Sequence, residues 1–387
     1  MKALLLTNDF PPMPGGEATY YARICATVRA DRVVVLAPRF PGDRSVDAHQ
    51  PYRIIRRRVP LSPHPVARLT QMVILFLAAF AIVRRDHVDT VHIGHLYLGP
   101  IGLGLRRLLN TPYVLYLHGG EMAPYMRSGL VRRVVRTIVR HAQMVVVNSA
   151  YTLNHFETMG IRHPQVALLT MSVSLERFRP DLDARRVRIK YGLDDQKVIL
   201  TVGRLIARKG HDTVIRALGR VRRSVGPVQY VIAGRGPGEP SLRALARDLG
   251  CGEHVKFLGH VPDDELPHLY AACDVFVMPS RALAQRDGVE GFGIAFVEAG
   301  ACGKPVIGGH SGGVADAVID GVTGRLVDPT DADALAEALT HLLRNADEAA
   351  RLGAQGRRRA EALASGWATA LERIWGAHAE DTGPDAG

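Results

Sequence analysis

The residues with the plainest chemical content lie between Glu290 and Ile307, in the string EGFGIAFVEAGACGKPVI. Two carboxylates, Glu290 and Glu298, bracket seven residues, and Gly291 and Gly293 stand where a loop turns into a helix. The free N–H groups at such a helix start form a ready anion site. Carboxylates beside a bound phosphate would be repelled unless their task is to accept hydrogen bonds from sugar hydroxyls. Glu298 is expected about one and a half turns inside that helix, facing the same mouth. A second group is VGRLIARKG at Val202–Gly210, where Arg204 follows a buried strand and Lys209 precedes the Gly210 turn into a helix. A planar guanidinium and a point-charge ammonium together suit a diphosphate. They would also neutralise charge developing on a phosphate leaving group. Alone this is a basic loop like many others; beside Glu290 and Glu298 it predicts an anion site.

Three further loops carry weaker signals. PPMPGGE at Pro11–Glu17 follows the first strand, and Gly15 and Gly16 there permit close approach of backbone to a ligand. GRGPG at Gly234–Gly238 ends another strand, and either loop could equally be an ordinary strand-to-helix turn. Neither has the G-x-G-x-x-G spacing, so a dinucleotide fingerprint is not expected. LHGGE at Leu117–Glu121 places His118 after a buried strand, from which it would project into a cleft opposite Glu290. The other histidines are scattered and suggest no metal ligand. No aspartate pair reads as a metal-binding D-x-D, since Asp181–Asp183 falls in a linker and Asp331–Asp333 opens a late helix. Cys25, Cys251, Cys273 and Cys302 stand far apart without a C-x-x-C pair and read as buried thiols of a reducing cytoplasm.

Short apolar runs alternate with helical stretches almost throughout, and this pattern must position those groups. Seven runs, from Ala3–Thr7 to Val166–Leu169, precede a charged, proline-bearing stretch around 172–195; six more, from Val198–Val202 to Arg325–Val327, follow it. VILTV, VFVM and MVVV are apolar on both faces, as parallel strands covered by helices on both sides are. The expected class is α/β with parallel sheets. The expected organisation is two doubly wound domains, 1–180 and 181–375, with an inter-domain cleft faced by loops at the carboxyl ends of the strands. The small, polar tail 376–387 is expected to be disordered.

A length of 387 residues suggests two domains at ~100–200 residues each. With 47% hydrophobic and 22% charged residues, the collagen, disordered and disulfide-scaffold classes are excluded. The opening MKALLLTNDFPP is too short in apolar residues for a secretory signal. The longest uncharged apolar run, Met72–Val83, falls short of the ~20 residues needed to span a bilayer. A cytoplasmic protein is expected, at most peripheral on the inner face of the plasma membrane. Charge is uneven: 23 basic against 10 acidic residues through Pro180, and 26 against 28 beyond it, within a net +11. The basic first half fits an anionic lipid surface, nucleic acid or a phosphorylated substrate. Tyr125–Ala142 reads as a basic amphipathic helix, with Arg132, Arg133, Arg136 and Arg140 opposed to Val131, Val134, Val135, Ile138 and Val139. With Arg56, Arg57 and Arg58 it could rest on an anionic membrane surface, or it could be a crossover helix whose arginines are merely solvated. Nucleic acid is not expected as a partner, because the arginines come without interleaved aromatics and no nucleic-acid module is present.

In chain order, a glycine pair after strand one, HGGE, GRLxxRKG and EGFGIAFVEAxACGxPVI resemble glycosyltransferase family 4 over essentially the whole chain. The two glutamates seven residues apart are the most specific part of the likeness. The resemblance implies the GT-B fold, with two Rossmann-like domains, the first binding acceptor and the second the nucleotide sugar. It implies a retaining, metal-independent hexosyltransferase with no cofactor. Arg204 and Lys209 would bind the diphosphate with the Gly16 amide nearby, Glu298 would hold the ribose hydroxyls, Glu290 would contact the transferred sugar, and His118 would sit at its face. Gly15, Gly234, Gly291, Phe292, Gly293 and Ile294 would complete the donor site. TNDFPPxxGG with VEGFGIAFVEAGACGKPVIGGHSGG resembles in particular the bacterial phosphatidylinositol-mannoside mannosyltransferases. That implies GDP-mannose rather than a UDP-sugar as donor, and a lipid-linked or small polyol acceptor. A UDP-sugar enzyme acting on a soluble sugar, aminocyclitol or secondary metabolite remains a second reading. An epimerase or phosphorylase of the same fold is a third, and nucleic-acid binding a remote fourth.

Overall fold

The computed structural model describes residues 1–62, 64–120, 128–193, 196–283 and 288–376. Strands β1 (Ala3–Leu6), β2 (Val33–Pro38), β3 (Arg53–Arg57), β4 (Thr90–Ile93), β5 (Tyr113–Leu117), β6 (Met144–Val147) and β7 (Val166–Leu168) form one parallel sheet ordered β3-β2-β1-β4-β5-β6-β7. Strands β8 (Lys197–Val202), β9 (Val228–Ala233), β10 (Val255–Gly259), β11 (Val275–Met278), β12 (Val306–Gly309) and β13 (Gly324–Val327) form a second, ordered β10-β9-β8-β11-β12-β13. Each expected run falls on a strand within two residues of its bounds. The reason is local: β1, β2, β5, β9 and β11 are buried at every residue, so both faces of each strand need apolar or β-branched side chains.

Both sheets reverse strand order beside their first strand. β1 pairs with β2 on one side (Ala3↔Val33) and with β4 on the other (Ala3↔Thr90). β8 lies likewise between β9 (Lys197↔Val228) and β11 (Ile199↔Val275). Because parallel crossovers are right-handed, helices feeding the two directions leave the sheet on opposite faces. The loops at the carboxyl ends of the two strands therefore part, which is where doubly wound folds bind ligands. Gly15 and Gly16 follow β1, Arg204–Gly210 follow β8, and Glu290 ends the loop after β11, so these residues sit at the reversals, whereas His118 follows β5 and Gly234 follows β9.

The chain divides into two compact units, Met1–Thr170 with the end of the last helix from Gly366, and Met171–Ser365. This differs from the expected 1–180 and 181–375 at both junctions. Beyond Thr170, Phe178 packs edge-on against Tyr270 at 5.9 Å, and its carbonyl accepts from Arg357 Nη1 at 2.8 Å, which joins the stretch to the second unit. The helix Ala346–Gly376 returns to the first unit at its end. Trp367 meets Tyr20 edge-to-face at 5.5 Å, and Trp375 stacks on His92 at 3.9 Å while its Nε1 donates to the Tyr116 hydroxyl at 3.0 Å. Of the tail expected to be disordered, everything beyond Gly376 lies outside the described residues.

In the second unit the helices His211–Val225 and Ala332–Arg344 share one core through Val214, Leu218, Val221, Leu335 and Leu339. Asp331 opens the latter by accepting from the N–H groups of Asp333 and Ala334, each at 2.9 Å, a cap rather than half of a metal pair. The four cysteines are free and buried, and burial pushes the Cys273 and Cys302 thiols up to about 12, so neither is a thiolate nucleophile at neutral pH. Trp367 is 3% exposed against Tyr20 and Thr27. Trp367→Ala should remove ~3–5 kcal/mol from the first unit alone. Urea unfolding should show the first unit's transition at lower denaturant and the second unit's unmoved; a shift of the second alone would contradict the assignment of this helix end.

Candidate active site

The expected residues fall into two groups, one on each unit. In the second unit the loop after β8 carries Arg204, Arg208 and Lys209, and the loop after β11 ends at Glu290 and turns through Gly291, Phe292 and Gly293 into the helix Ile294–Ala301. Glu290 Oε2 accepts from Lys209 Nζ and from Arg208 Nη1, each at 2.6 Å, with all three side chains between 11% and 13% exposed. Burial by itself pushes the Glu290 carboxyl up. The Lys209 and Arg208 charges and hydrogen bonds outweigh it and hold the group below the ordinary carboxylate range. Burial also lowers the Lys209 ammonium, with Glu290 opposing and the Arg208 and Arg204 charges adding to the fall. Two cations share one carboxylate at low dielectric, and exposed Arg204 stands beside them with no side-chain hydrogen bond among the described residues. The cluster keeps a surplus of positive charge suited to an incoming anion.

Arg208 is a residue that sequence reasoning passed over, although it stands in VGRLIARKG. A run of basic residues does not disclose which side chain turns inward. His211 is another. Burial pushes it down to about 4, so its ring is neutral. Nε2 lies 3.2 Å from the Arg204 carbonyl, which can only accept, so the proton sits on Nε2, and Nδ1 accepts from the Tyr230 hydroxyl at 3.2 Å. His211 thereby pins the loop that carries Arg204. The Arg281 N–H donates to the Arg208 carbonyl at 2.9 Å, and its guanidinium grips Asp212 at 2.9 and 3.0 Å, which ties the two loops together.

The glycine pair of HSGG supports Glu290 from below. The Gly313 N–H donates to the Glu290 carbonyl at 2.7 Å, and a Cβ at Gly313 would lie 2.0 Å from the Gly291 oxygen. Gly293 precedes the helix with φ of 94°, a left-handed conformation that favours glycine, while Phe292 beside it is buried and anchors the turn. Glu298 lies inside the helix as expected, but buried. The Tyr270 hydroxyl donates to its Oε2 at 2.6 Å, and its other oxygen makes no hydrogen bond among the described residues. Burial pushes this carboxyl up, against the Tyr270 hydrogen bond and the Arg177 charge. Gly234 follows β9, and its N–H donates to the Gly259 carbonyl at 2.7 Å.

In the first unit Gly15 and Gly16 open the helix Gly16–Thr27 after β1. His118 directly follows β5. It is buried, with the edges of Tyr20 and Tyr21 at 5.5 and 5.6 Å and its Nε2 2.6 Å from the Tyr21 hydroxyl. The Tyr21 proton is directed at the Gly94 carbonyl, so His118 Nε2 donates to the Tyr21 oxygen. The ring of His95 lies 5.7 Å from that of His118, and its Nε2 is 2.7 Å from Asp9 Oδ2 and 3.2 Å from Glu17 Oε2. Asp9, Glu17 and His95 could converge on a cation or on hydroxyl groups; here the imidazole bridges the two carboxylates. This group too was missed, because only the strand order brings the loops after β1 and β4 together. Glu121 of LHGGE lies outside the described residues, as do 125–127 of the expected amphipathic stretch.

Residues 14–177 match the family model described as Glycosyltransferase Family 4, and residues 183–359 that described as Glycosyl transferases group 1. The chain is 37% identical over 365 residues to the GDP-mannose-dependent alpha-(1-6)-phosphatidylinositol monomannoside mannosyltransferase of Mycolicibacterium smegmatis, with 92% of each chain covered. It is 34% identical over 380 residues, 96% of each chain, to the GDP-mannose-dependent monoacylated alpha-(1-6)-phosphatidylinositol monomannoside mannosyltransferase of Corynebacterium glutamicum. Among solved structures, Anabaena HepE in complex with UDP and glucose matches with a TM-score of 0.81 at 22% identity, over 97% of this chain and 99% of that one, a likeness of fold.

Arg208→Gln removes one of the two cations that keep Glu290 ionised. A carboxyl held below its ordinary range stays charged as pH falls; with one cation gone, burial draws its pKa upward. The acid limb of the pH–rate profile should therefore move to higher pH, with turnover at neutral pH down about tenfold. Arg208→Lys should restore the limb. An unmoved limb in a folded Arg208→Gln protein would show that Arg208 does not act through Glu290.

Proposed function

The chain belongs to glycosyltransferase family 4 and is a hexosyl-transferring enzyme, and from that premise we propose that it moves mannose from GDP-mannose to a hydroxyl of a phosphatidylinositol-mannoside-like lipid, with retention and without a metal ion. One observation carries the choice of substrates: the likeness, over more than nine-tenths of the chain, to two enzymes whose names specify GDP-mannose and a phosphatidylinositol mannoside. The UDP-sugar alternative has behind it, in HepE, a likeness of fold alone. A lipid acceptor fits a cytoplasmic enzyme working peripherally on the inner face of the plasma membrane.

The roles follow from the geometry of the second unit and the family motif. Arg204 and Lys209 take the diphosphate, with the helix start at Gly293–Ile294 as a further donor. When Lys209 turns to phosphate, Arg208 stays on Glu290 and keeps it ionised as an acceptor for hydroxyls of the sugar that moves. Glu298, oriented through one oxygen by Tyr270, offers the other to the ribose. The bond between the sugar C1 and the diphosphate oxygen breaks with its electron pair going to the diphosphate, where the cations stabilise it. The acceptor oxygen bonds to C1 on the same face, and its proton passes to the departing phosphate oxygen. No covalent sugar–enzyme intermediate is needed.

Two tests follow. By calorimetry with GDP, Glu298→Gln should weaken binding about tenfold or more, while Glu290→Gln should leave binding nearly unchanged and slow transfer. The larger loss in Glu290→Gln would reverse the assignment. With GDP-mannose and phosphatidylinositol monomannoside, transfer should persist in excess chelator and give an α-linked product. An inverted product, or activity restored only by a divalent ion, would overturn the mechanism.

A further inference from the structure

The loop after β9, GRGPG at Gly234–Gly238, carries no side chain that the reaction above uses, yet glycine stands at every second position of it. What those glycines face is the stretch after β8 that opens with Gly203 and Arg204. A Cβ at Gly234 would lie 1.9 Å from the Gly203 oxygen. One at Gly236 would lie 2.5 Å from the Leu205 oxygen and 2.7 Å from its nitrogen, and one at Gly238 would lie 2.8 Å from the same oxygen. Each obstacle is backbone, which cannot swing aside as the end of a side chain can. The two loops lie against each other only because all three positions lack a Cβ.

Hydrogen bonds hold the same contact. The pairing of β8 with β9, which sets Val202 opposite Ala233, runs on past both strand ends. The Gly203 N–H donates to the Ala233 carbonyl at 2.9 Å, the Leu205 N–H to the Arg235 carbonyl at 3.1 Å, and the Gly238 N–H to the Leu205 carbonyl at 2.9 Å. Leu205 is fully buried and shares a core with Ile199, Val214 and Leu242. It is also the middle of a tight turn in which the Ile206 N–H donates to the Arg204 carbonyl at 2.9 Å. The other end of the loop is gripped in the same manner, since a Cβ at Gly210 would lie 2.1 Å from the Pro279 oxygen.

Arg204 depends on this grip more than its neighbours do. Arg208 and Lys209 are fixed by Glu290, at 2.6 Å each. Arg204 is exposed and makes no side-chain hydrogen bond among the described residues, so its guanidinium goes where its backbone puts it.

We propose that the GRGPG loop is the template that sets the backbone of Arg204 for the donor diphosphate, with Gly236 and Gly238 as positioning residues. Two of the loop's own amides, those of Gly234 and Gly238, donate within the unit, which favours support of the neighbouring loop over direct contact with phosphate. The proposal rests on the reading of Arg204 as a ligand of the diphosphate.

The test compares GDP with guanosine by calorimetry on the full chain, which isolates the share of affinity that the phosphates supply. In Gly236→Ala the new methyl group must displace Leu205 or the loop itself. GDP should then bind about tenfold more weakly, and guanosine as in the parent. Gly238→Ala, with the longer approach, should show the same selective loss to a smaller extent, and it serves if Gly236→Ala does not fold. Gly252→Ala, where a Cβ comes no nearer than 3.7 Å to Arg247, should match the parent. In an Arg204→Gln background Gly236→Ala should add no further loss, because the group it displaces is gone. Equal weakening of GDP and guanosine, or losses that add in the double variant, would overturn the proposal. Arg204→Gln by itself separates the two readings. If it weakens GDP binding and the glycine variants do not, the template fails and the diphosphate role stands. If it binds GDP like the parent, the diphosphate role of Arg204 is lost and the template with it.

Discussion

A parallel strand can be joined to its neighbour only through a right-handed crossover, and the molecule is organised by that constraint. Where the strand order reverses, beside β1 and again beside β8, consecutive crossovers must take opposite faces of the sheet. Their loops part there and nowhere else. The loops that part after β1, β4, β8 and β11 are therefore where backbone and side chains can meet a ligand. Gly15, His95, Arg204, Lys209 and Glu290, which are distant in sequence, owe their placement to the same rule applied in two sheets.

Within the second unit the cluster of Glu290, Arg208 and Lys209 turns that placement into chemistry. A buried carboxylate alone would be protonated, and a buried lysine alone would lose its proton. Each keeps the other charged, and Arg208 adds a second cation on the same Glu290 oxygen. Further contacts hold these loops in place: neutral His211 on the Arg204 carbonyl, Arg281 on Asp212, the Gly313 amide on the Glu290 carbonyl, and Tyr270 on Glu298. Removing a buried partner of this kind leaves a charge uncompensated, which is why small changes beneath the site should act as strongly as changes in it.

The first unit divides its labour between the edge and a face of its sheet. At the strand ends, His118, Tyr21, His95, Asp9 and Glu17 form a hydrogen-bonded polar network set among aromatic rings. On one face, the helices Pro65–Asp86, Gly99–Leu109 and Gly129–His141 pack inward through an apolar core, while Val66, Leu69, Val73 and Leu77 stay outside as a second apolar row. The two features are compatible because a helix has two sides, and the core needs only one of them.

The sequence alone determined the class of fold, every strand, and the two glutamates, the basic loop and the glycine turns that resemble a glycosyltransferase. These are local matters: burial on both faces forces apolar runs, and a loop that meets phosphate needs cations and free backbone N–H groups near a helix start. Tertiary structure decided the rest. Periodicity says which side of a helix is apolar but not what covers it. The exposed Val66–Leu77 row and the return of Trp367 and Trp375 to the first unit were therefore invisible in the string. Charge composition counts arginines but does not pair them. That Arg208 turns onto Glu290, that Arg56 is buried on Asp47, and that His95 bridges Asp9 and Glu17 each depend on distances set by strand order, which no neighbouring residue encodes.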